Sequence, residues 1–319
     1  MKTHGDSGWE SFPSYLDIVV PRFLAFLAER RLRITVFVVG QDAALERNAE
    51  AIASIAAAGH EIGNHSYHHE PWLHMRSEAA IEEEIARAEA AIEDVTGWRP
   101  LGFRGPGFTR SETILRILAR RGYAYDASTL PTFIGPLARA YYFRTAKLDK
   151  ASLREREGLF GSFGDGFASN RYHCVGTSEG TIGELPVTTM PIMRIPIHVS
   201  YVLYLSAISP SLARRYFRFA LTLCRLTNTE PSILLHPLDF LGRNEVPELA
   251  FFPAMNMPAA LKLAIVADAC EALAECFTVR PLLDYVRCRT RSRGSVAPIG
   301  IGATRAQRDR EGPRKRALS

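Results

Sequence analysis

The sequence predicts an α/β fold built on a parallel sheet, and three observations predict it. Short apolar runs ending in glycine alternate with amphipathic helical segments, which is the pattern of βαβ units. The 319 residues suffice for one α/β barrel domain of about 250 residues with additions. Polar motifs at His60–Pro71, Phe103–Phe108, Tyr125–Ser128 and Leu234–Asp239 each follow a short apolar run. In α/β barrels the chemistry gathers at the C-terminal ends of strands, where such motifs would emerge.

Taken in order, residues 1–13 are polar and turn-like. From Tyr15 a helix is expected, with Leu16, Val19, Val20, Phe23, Leu24 and Leu27 on one face and Pro21 absorbed in or near its first turn. A strand follows at Arg33–Val39, a helix at about Asp42–Ala58 and a strand at Glu61–Gly63. Ser77 is placed to cap a Glu-rich helix reaching about Val95, with acid in the first turns where the macrodipole favours it. On that reading Glu82, Glu83 and Glu84 form a solvated helix face. A strand at Leu101–Arg104, a Ser-capped helix at Ser111–Arg121 and a strand at Tyr123–Asp126 continue the alternation.

The pattern then breaks into aromatic, Gly-rich sequence, an insertion near residues 130–182 that either walls a pocket or packs as a loose loop. Regular structure resumes at Gly183–Pro186 and Arg194–Val199. A helix at Ser211–Leu226, a strand at Ser232–His236, a helix at Pro258–Cys276 and a last element near Val279–Val286 complete a domain of residues 1–288. Residues 289–319 form a basic tail: from Arg287 onward there are ten basic and two acidic residues, although the whole chain carries only +5. A tail of this composition without apolar periodicity is expected to be disordered and solvated, with no specific nucleic-acid partner.

Composition narrows the function classes. Hydrophobic residues at 47% and charged residues at 23% are those of a globular protein. No apolar run approaches the roughly 18 residues of a membrane span, and the start has no apolar signal region, which makes the cytoplasm the default location. Five scattered cysteines without a C-x-x-C pair indicate neither a disulfide framework nor a thiolate zinc site. His65 and His69, four apart, can share a metal if the backbone turns helically between them; otherwise they belong to a polar loop.

His65-Ser-Tyr-His-His69 followed by Pro71, then Arg104-Gly-Pro106, then Leu235-His236-Pro237 resembles, in this order, the polysaccharide deacetylase family, carbohydrate esterase family 4 with its NodB homology domain. The resemblance implies a distorted (β/α)7-type, NodB-like barrel and metal-assisted hydrolysis of an acyl group, usually the N-acetyl of an amino sugar. It implies His65 and His69 as ligands of a divalent metal, zinc first, with Ser66 bracing their loop and His60 and His68 in supporting roles. Arg104 would orient a base carboxylate, and the backbone N–H of Gly107, beside Phe108, would be the oxyanion donor. His236 would be the general acid, with Asp126 orienting and charging its imidazole.

The family begins with a strand ending in paired aspartates, one the base and one a metal ligand. This chain offers only Asp6 before its first helix, with His4 nearby. The expectation is that the missing first strand and its aspartates lie upstream of Met1; the alternative is that Asp6 serves as the third ligand. The expected substrate is an N-acylated sugar or a glycan-lipid. The competing readings are a small-amide hydrolase of the same fold and a truncated homologue that grips metal or glycan without turnover.

Overall fold

The computed structural model describes residues 14–135, 163–249 and 254–294. Helix α1 (Leu16–Glu29) leads into strand β1 (Thr35–Val38). The expected single helix that follows is two: α2 (Gly40–Ala43), then α3 (Glu46–Ala57). Strand β2 (Glu61–Asn64), helix α4 (Glu78–Thr96), strand β3 (Gly102–Phe103), helix α5 (Glu112–Arg120) and strand β4 (Tyr125–Asp126) keep the predicted alternation. Pro21 lies in the second turn of α1, next to the first, on an exposed position. Its missing N–H removes a bond to Asp17, on a side where water can satisfy that carbonyl.

Both predicted caps form. Ser77 Oγ accepts from Ala80 N, and Ser111 Oγ accepts from Ile114 N. Each satisfies one of the orphan N–H groups that a helix start leaves. Gly97, at φ 72°, ends α4 in the left-handed conformation open to glycine.

The sheet runs β1-β2-β3-β4-β6-β5, where β5 is His173–Thr177 and β6 is Gly180–Glu184. β1 to β4 and β6 pair in parallel, but β5 pairs antiparallel to β6. The sheet is therefore mixed, and the part of the expected insertion next to residue 182 is one arm of a hairpin. Residues 136–162 of that insertion lie outside the described residues. No ladder among the described residues closes the sheet into a barrel.

After the sheet come α6 (Val199–Ser206), α7 (Pro210–Leu226), α8 (Ala259–Cys276) and α9 (Leu282–Gly294). Residues 194–199 and 232–236, expected as regular elements, form no ladder. Their extended backbone is held by single bonds, such as Val199 N to Leu234 O at 3.0 Å and Thr188 N to Ser232 O at 2.9 Å. α6 goes unpredicted because its eight residues are apolar almost all round and lack a helical stripe.

One core packs α1, α3, α6, α7 and α8 through residues such as Leu27, Ile52, Leu203, Phe217 and Val266. A second joins α4 and α5 to the sheet through Ile81, Ile85, Phe103, Ile114 and Ile117. Met1–Val286 forms one compact unit, with Arg287–Ser319 separate from it. Among the described residues no helix is long and apolar enough to cross a membrane.

Candidate active site

The C-terminal ends of β2, β3 and β4 bring the predicted motifs to one face. Asn64 closes β2, and its side chain donates to Ile85 O (3.0 Å) and Tyr123 Oη (2.9 Å) while its Oδ1 accepts from Ser66 N (2.9 Å). Ser66, fully buried with φ 60°, accepts from His69 N at 3.2 Å. The chain thus turns tightly, and the His65 and His69 rings meet edge to face with centroids 4.9 Å apart.

His65 Nδ1–H donates to Arg104 O at 2.5 Å, which leaves Nε2 for a ligand. Metal-binding imidazoles are usually oriented by such a bond from the other ring nitrogen. Burial, then the neighbouring His69, holds the His65 imidazole neutral, well below its ordinary range, although the Arg104 carbonyl opposes this. A neutral imidazole is the form a metal binds.

The two nitrogens suit a divalent ion such as zinc, but they are two donors of the three or four it needs. Among the described residues no group of three or more His, Cys, Asp or Glu side chains converges to complete the set. Asp6, the sequence candidate for a third donor, lies outside the described residues.

Glu84 corrects the sequence reading. It is not part of a solvated face: its carboxylate accepts from Tyr67 N (3.2 Å) and His68 N (3.0 Å) and pairs with His68 Nδ1. Helix α4 thereby clamps the histidine loop from behind. Glu82 pairs with Arg120 and Arg121, and Glu83 with Arg87, as surface charges do. His60 is structural, its Nδ1 accepting from Ile34 N at 3.3 Å.

Arg104 leaves β3 buried, stacks its guanidinium 4.4 Å from the Phe37 ring centroid and donates from Nε to Ala127 O at 2.9 Å. Burial lowers its pKa to about 10, against the pull of Tyr125 and Asp126. Among the described residues it makes no ion pair with a carboxylate, and Asp6 lies outside them.

The following turn, Pro106–Phe108, puts Gly107 at φ 59° and Phe108 at φ 63°. A Cβ on Gly107 would come within 2.7 Å of Pro71 Cβ, so glycine lets this turn lie against the end of the histidine loop.

His236 carries the largest difference from expectation. Its partner is not Asp126. Nδ1 of His236 lies 2.9 Å from Ser200 Oγ, Ser200 Oγ donates to Asp239 (2.9 and 3.1 Å), and Asp239 Oδ2 accepts from His236 N at 2.8 Å. With its one proton on Asp239, the Ser200 hydroxyl accepts from His236 Nδ1–H, which leaves Nε2 as the atom that can take up or release a proton. Burial lowers the His236 pKa, Asp239 raises it and Arg104 lowers it.

Asp126 is fully buried and bonds Ser128 instead, through Oδ1 to Ser128 Oγ (2.5 Å) and Oδ2 to Ser128 N (3.3 Å). The i, i+3 spacing in His236-Pro-Leu-Asp239 signals the true partner, a one-turn capping box. Ser200 sits on α6, which the sequence reading does not foresee.

His198 completes the cluster and has no counterpart in the sequence reading. Its ring stands 5.9 Å from that of His236 and 4.4 Å from Tyr201, and Nδ1 has no hydrogen-bond partner among the described residues. Burial first, then His236 and Arg104, depress its pKa to about 3. His236 acts electrostatically on His65 as well as on His198, so the His65/His69 pair, Arg104, His198 and His236 share one basic centre, in which Arg104 and His198 are buried while His69 and His236 are exposed.

Residues 6–125 match the family model for polysaccharide deacetylase. A peptidoglycan deacetylase of Helicobacter pylori is 30% identical over 128 residues, 40% of this chain and 41% of that protein. A peptidoglycan-N-acetylmuramic acid deacetylase of Bacillus subtilis is 32% identical over 104 residues, 32% of this chain and 38% of that protein. The matches thus span less than half of these relatives. A crystal structure from Mycobacterium smegmatis, described as a polysaccharide deacetylase, superposes with TM-score 0.56 over 88% of this chain and 79% of its own, at 22% identity. That likeness concerns the fold.

Proposed function

We propose that this chain, whose residues 6–125 match the family model for polysaccharide deacetylase, hydrolyses the N-acyl group of an amino sugar in a glycan of the peptidoglycan class. The observation that carries this reading is the Asp239–Ser200–His236 relay, set within electrostatic reach of the His65/His69 pair. A relay of this kind holds an imidazole in one tautomer and stabilises its protonated form, as a proton donor to a departing amine requires.

In the proposed mechanism His65 and His69 hold a divalent ion, zinc first. When bound, such an ion polarises an acyl carbonyl and acidifies water. His236 Nε2 delivers a proton to the amine as the C–N bond breaks, while Asp239, through Ser200, offsets the charge that His236 carries beforehand. The Gly107 N–H faces the developing oxyanion, and Phe108 flanks it. Arg104 spaces the two halves of the site, its carbonyl orienting His65 and its guanidinium adding positive potential near His198 and His236.

Acetate release from peptidoglycan and from N-acetylated chito-oligosaccharide, with zinc added and after chelation, tests this reading. Release that is lost with chelator and in His236→Ala is expected. No release by the full chain under either condition would count against it.

A further inference from the structure

Beneath the turn that presents Gly107, two carboxyl groups meet in the dry interior. Asp126 ends β4 and Glu184 ends β6, each 0% exposed, and they are register partners across the parallel ladder. Glu184 acts electrostatically on Asp126 and raises its pKa. Neither can reach a substrate at that depth, so neither is a catalytic acid or base.

Both ends of the 105–110 loop are tied to this pair. At its start Gly105 N donates to Ser128 Oγ at 2.7 Å, and Ser128 Oγ donates to Asp126 Oδ1 at 2.5 Å. At its end Arg110 Nε lies 3.0 Å from Glu184 Oε2 and 3.9 Å from Asp126 Oδ2. Glu184 Oε1 also accepts from Thr129 N at 3.3 Å, which ties the segment after β4 to the same group.

One guanidinium cannot neutralise two buried carboxylates, and an unpaired buried charge is costly. The pair therefore keeps a proton between its members. The electrostatics agree in direction: burial, then Glu184, hold Asp126 well above the ordinary carboxyl range, with Ser128 and Arg110 opposing.

From above, the same loop is fixed by packing. Pro71 fills the space beside Gly107, and His74 Nδ1 meets Thr109 Oγ1 at 2.5 Å. The loop is thus held between the histidine segment and the carboxyl pair, with Ser128 as the one side chain linking the pair to its backbone start.

We infer that Asp126, Glu184, Ser128 and Arg110 are positioning residues that pin the 105–110 loop at both ends and so set the place of the Gly107 N–H. The assignment rests on the deacetylase reading for its consequence in catalysis, but not for the pinning itself. Ser128→Ala removes the link at one end without placing a charge in the interior. It is expected to lower kcat about tenfold or more, with KM nearly unchanged, because a small misplacement of an oxyanion donor acts on the transition state. Glu184→Gln keeps a hydrogen-bonding neutral partner for Asp126 and an acceptor for Arg110, and should recover most of the kcat that Glu184→Ala loses.

Amide hydrogen exchange of the full chain supplies a readout that does not depend on turnover. In Ser128→Ala the Gly105 amide should exchange about tenfold faster or more, with the Ala127 amide unchanged. Wild-type kcat together with wild-type Gly105 exchange in Ser128→Ala would overturn the inference. If wild type releases no acetate from peptidoglycan or chito-oligosaccharide while Ser128→Ala still frees the Gly105 amide, the pinning stands and the hydrolase reading falls.

Discussion

Ser200 Oγ lies 2.9 Å from His236 Nδ1 and donates its hydrogen bond to Asp239, so a helix outside the sheet orients the imidazole proposed as the proton donor. Asp239 is the one group that raises the His236 pKa against burial and Arg104. Neutralising it lets that pKa fall further. Asp239→Asn should then cut kcat on the order of 10²-fold and move the alkaline limb of its pH profile, where protonated His236 is lost, to lower pH. Ser200→Ala should lower kcat in the same direction by a smaller factor. A limb that stays in place in both variants would show that some other group titrates.

Glu84 gives the second prediction. Its carboxylate accepts from two backbone N–H groups of the histidine loop and pairs with His68, and its side chain is only 13% exposed. Glu84→Ala leaves those N–H groups without their acceptor, which costs about 1–3 kcal/mol. Because the loop carries both His65 and His69, zinc affinity measured by calorimetry should fall about 10–100-fold, as it does when an orienting partner of a ligand is removed. Glu83→Ala, at an exposed pair on the same helix, should change neither quantity. Equal affinities in wild type and Glu84→Ala would detach the clamp from metal binding.

What was legible in the sequence was local. Ser77 and Ser111 announce their helices because a cap needs only its own next three residues. The pairing of His65 with His69 and the supporting role of His60 follow from the resemblance of one short motif to the deacetylase family. What was not legible depends on distant contacts. Glu84 reaches His68 only because α4 packs across the loop, and a run of three glutamates looks like a solvated face until that packing is known. The resemblance implied Asp126 as the partner of His236, yet its neighbour across the sheet is Glu184, brought there by a hairpin inside what read as irregular sequence. Ser200 and His198 were invisible for a related reason. They flank the start of a helix whose apolar surround hides its period.

A third prediction concerns the floor of the sheet. Gly102 faces Tyr125 on the neighbouring strand so closely that a Cβ would overlap the phenol ring, whose hydroxyl donates to the half-buried Glu61 at 2.7 Å. Gly102→Ala must push Tyr125 aside or lengthen that bond, at about 1–3 kcal/mol. The melting temperature should fall by several degrees, about 2–4 °C per kcal/mol for a domain of this size. Gly97→Ala, with nothing near its Cβ position, should cost only the left-handed backbone strain of about 1 kcal/mol. A smaller loss at Gly102 than at Gly97 would show that the Tyr125 contact is slack.

The last prediction turns on His198, buried with a ring nitrogen that no group among the described residues satisfies. Its folded pKa, about 3, lies below the ordinary value of 6.5, so the native state holds the neutral ring while the unfolded chain takes up a proton in acid. The sign follows from linkage. This group's contribution is fully present above pH 6.5 and is lost as the pH falls from there toward 3. By pH 5 the loss amounts to about 2 kcal/mol.

His198→Phe keeps a flat ring against Tyr201 and His236 but has nothing to protonate. Urea unfolding at pH 7.5 and pH 5 should show a smaller acid penalty in His198→Phe than in wild type, by about that amount. His65, depressed by burial in the same direction, remains in both proteins, so the difference between them isolates His198. Equal acid penalties in the two proteins would mean that His198 gains a proton in the folded state as readily as in the unfolded one, and that its surroundings open to water before the fold gives way.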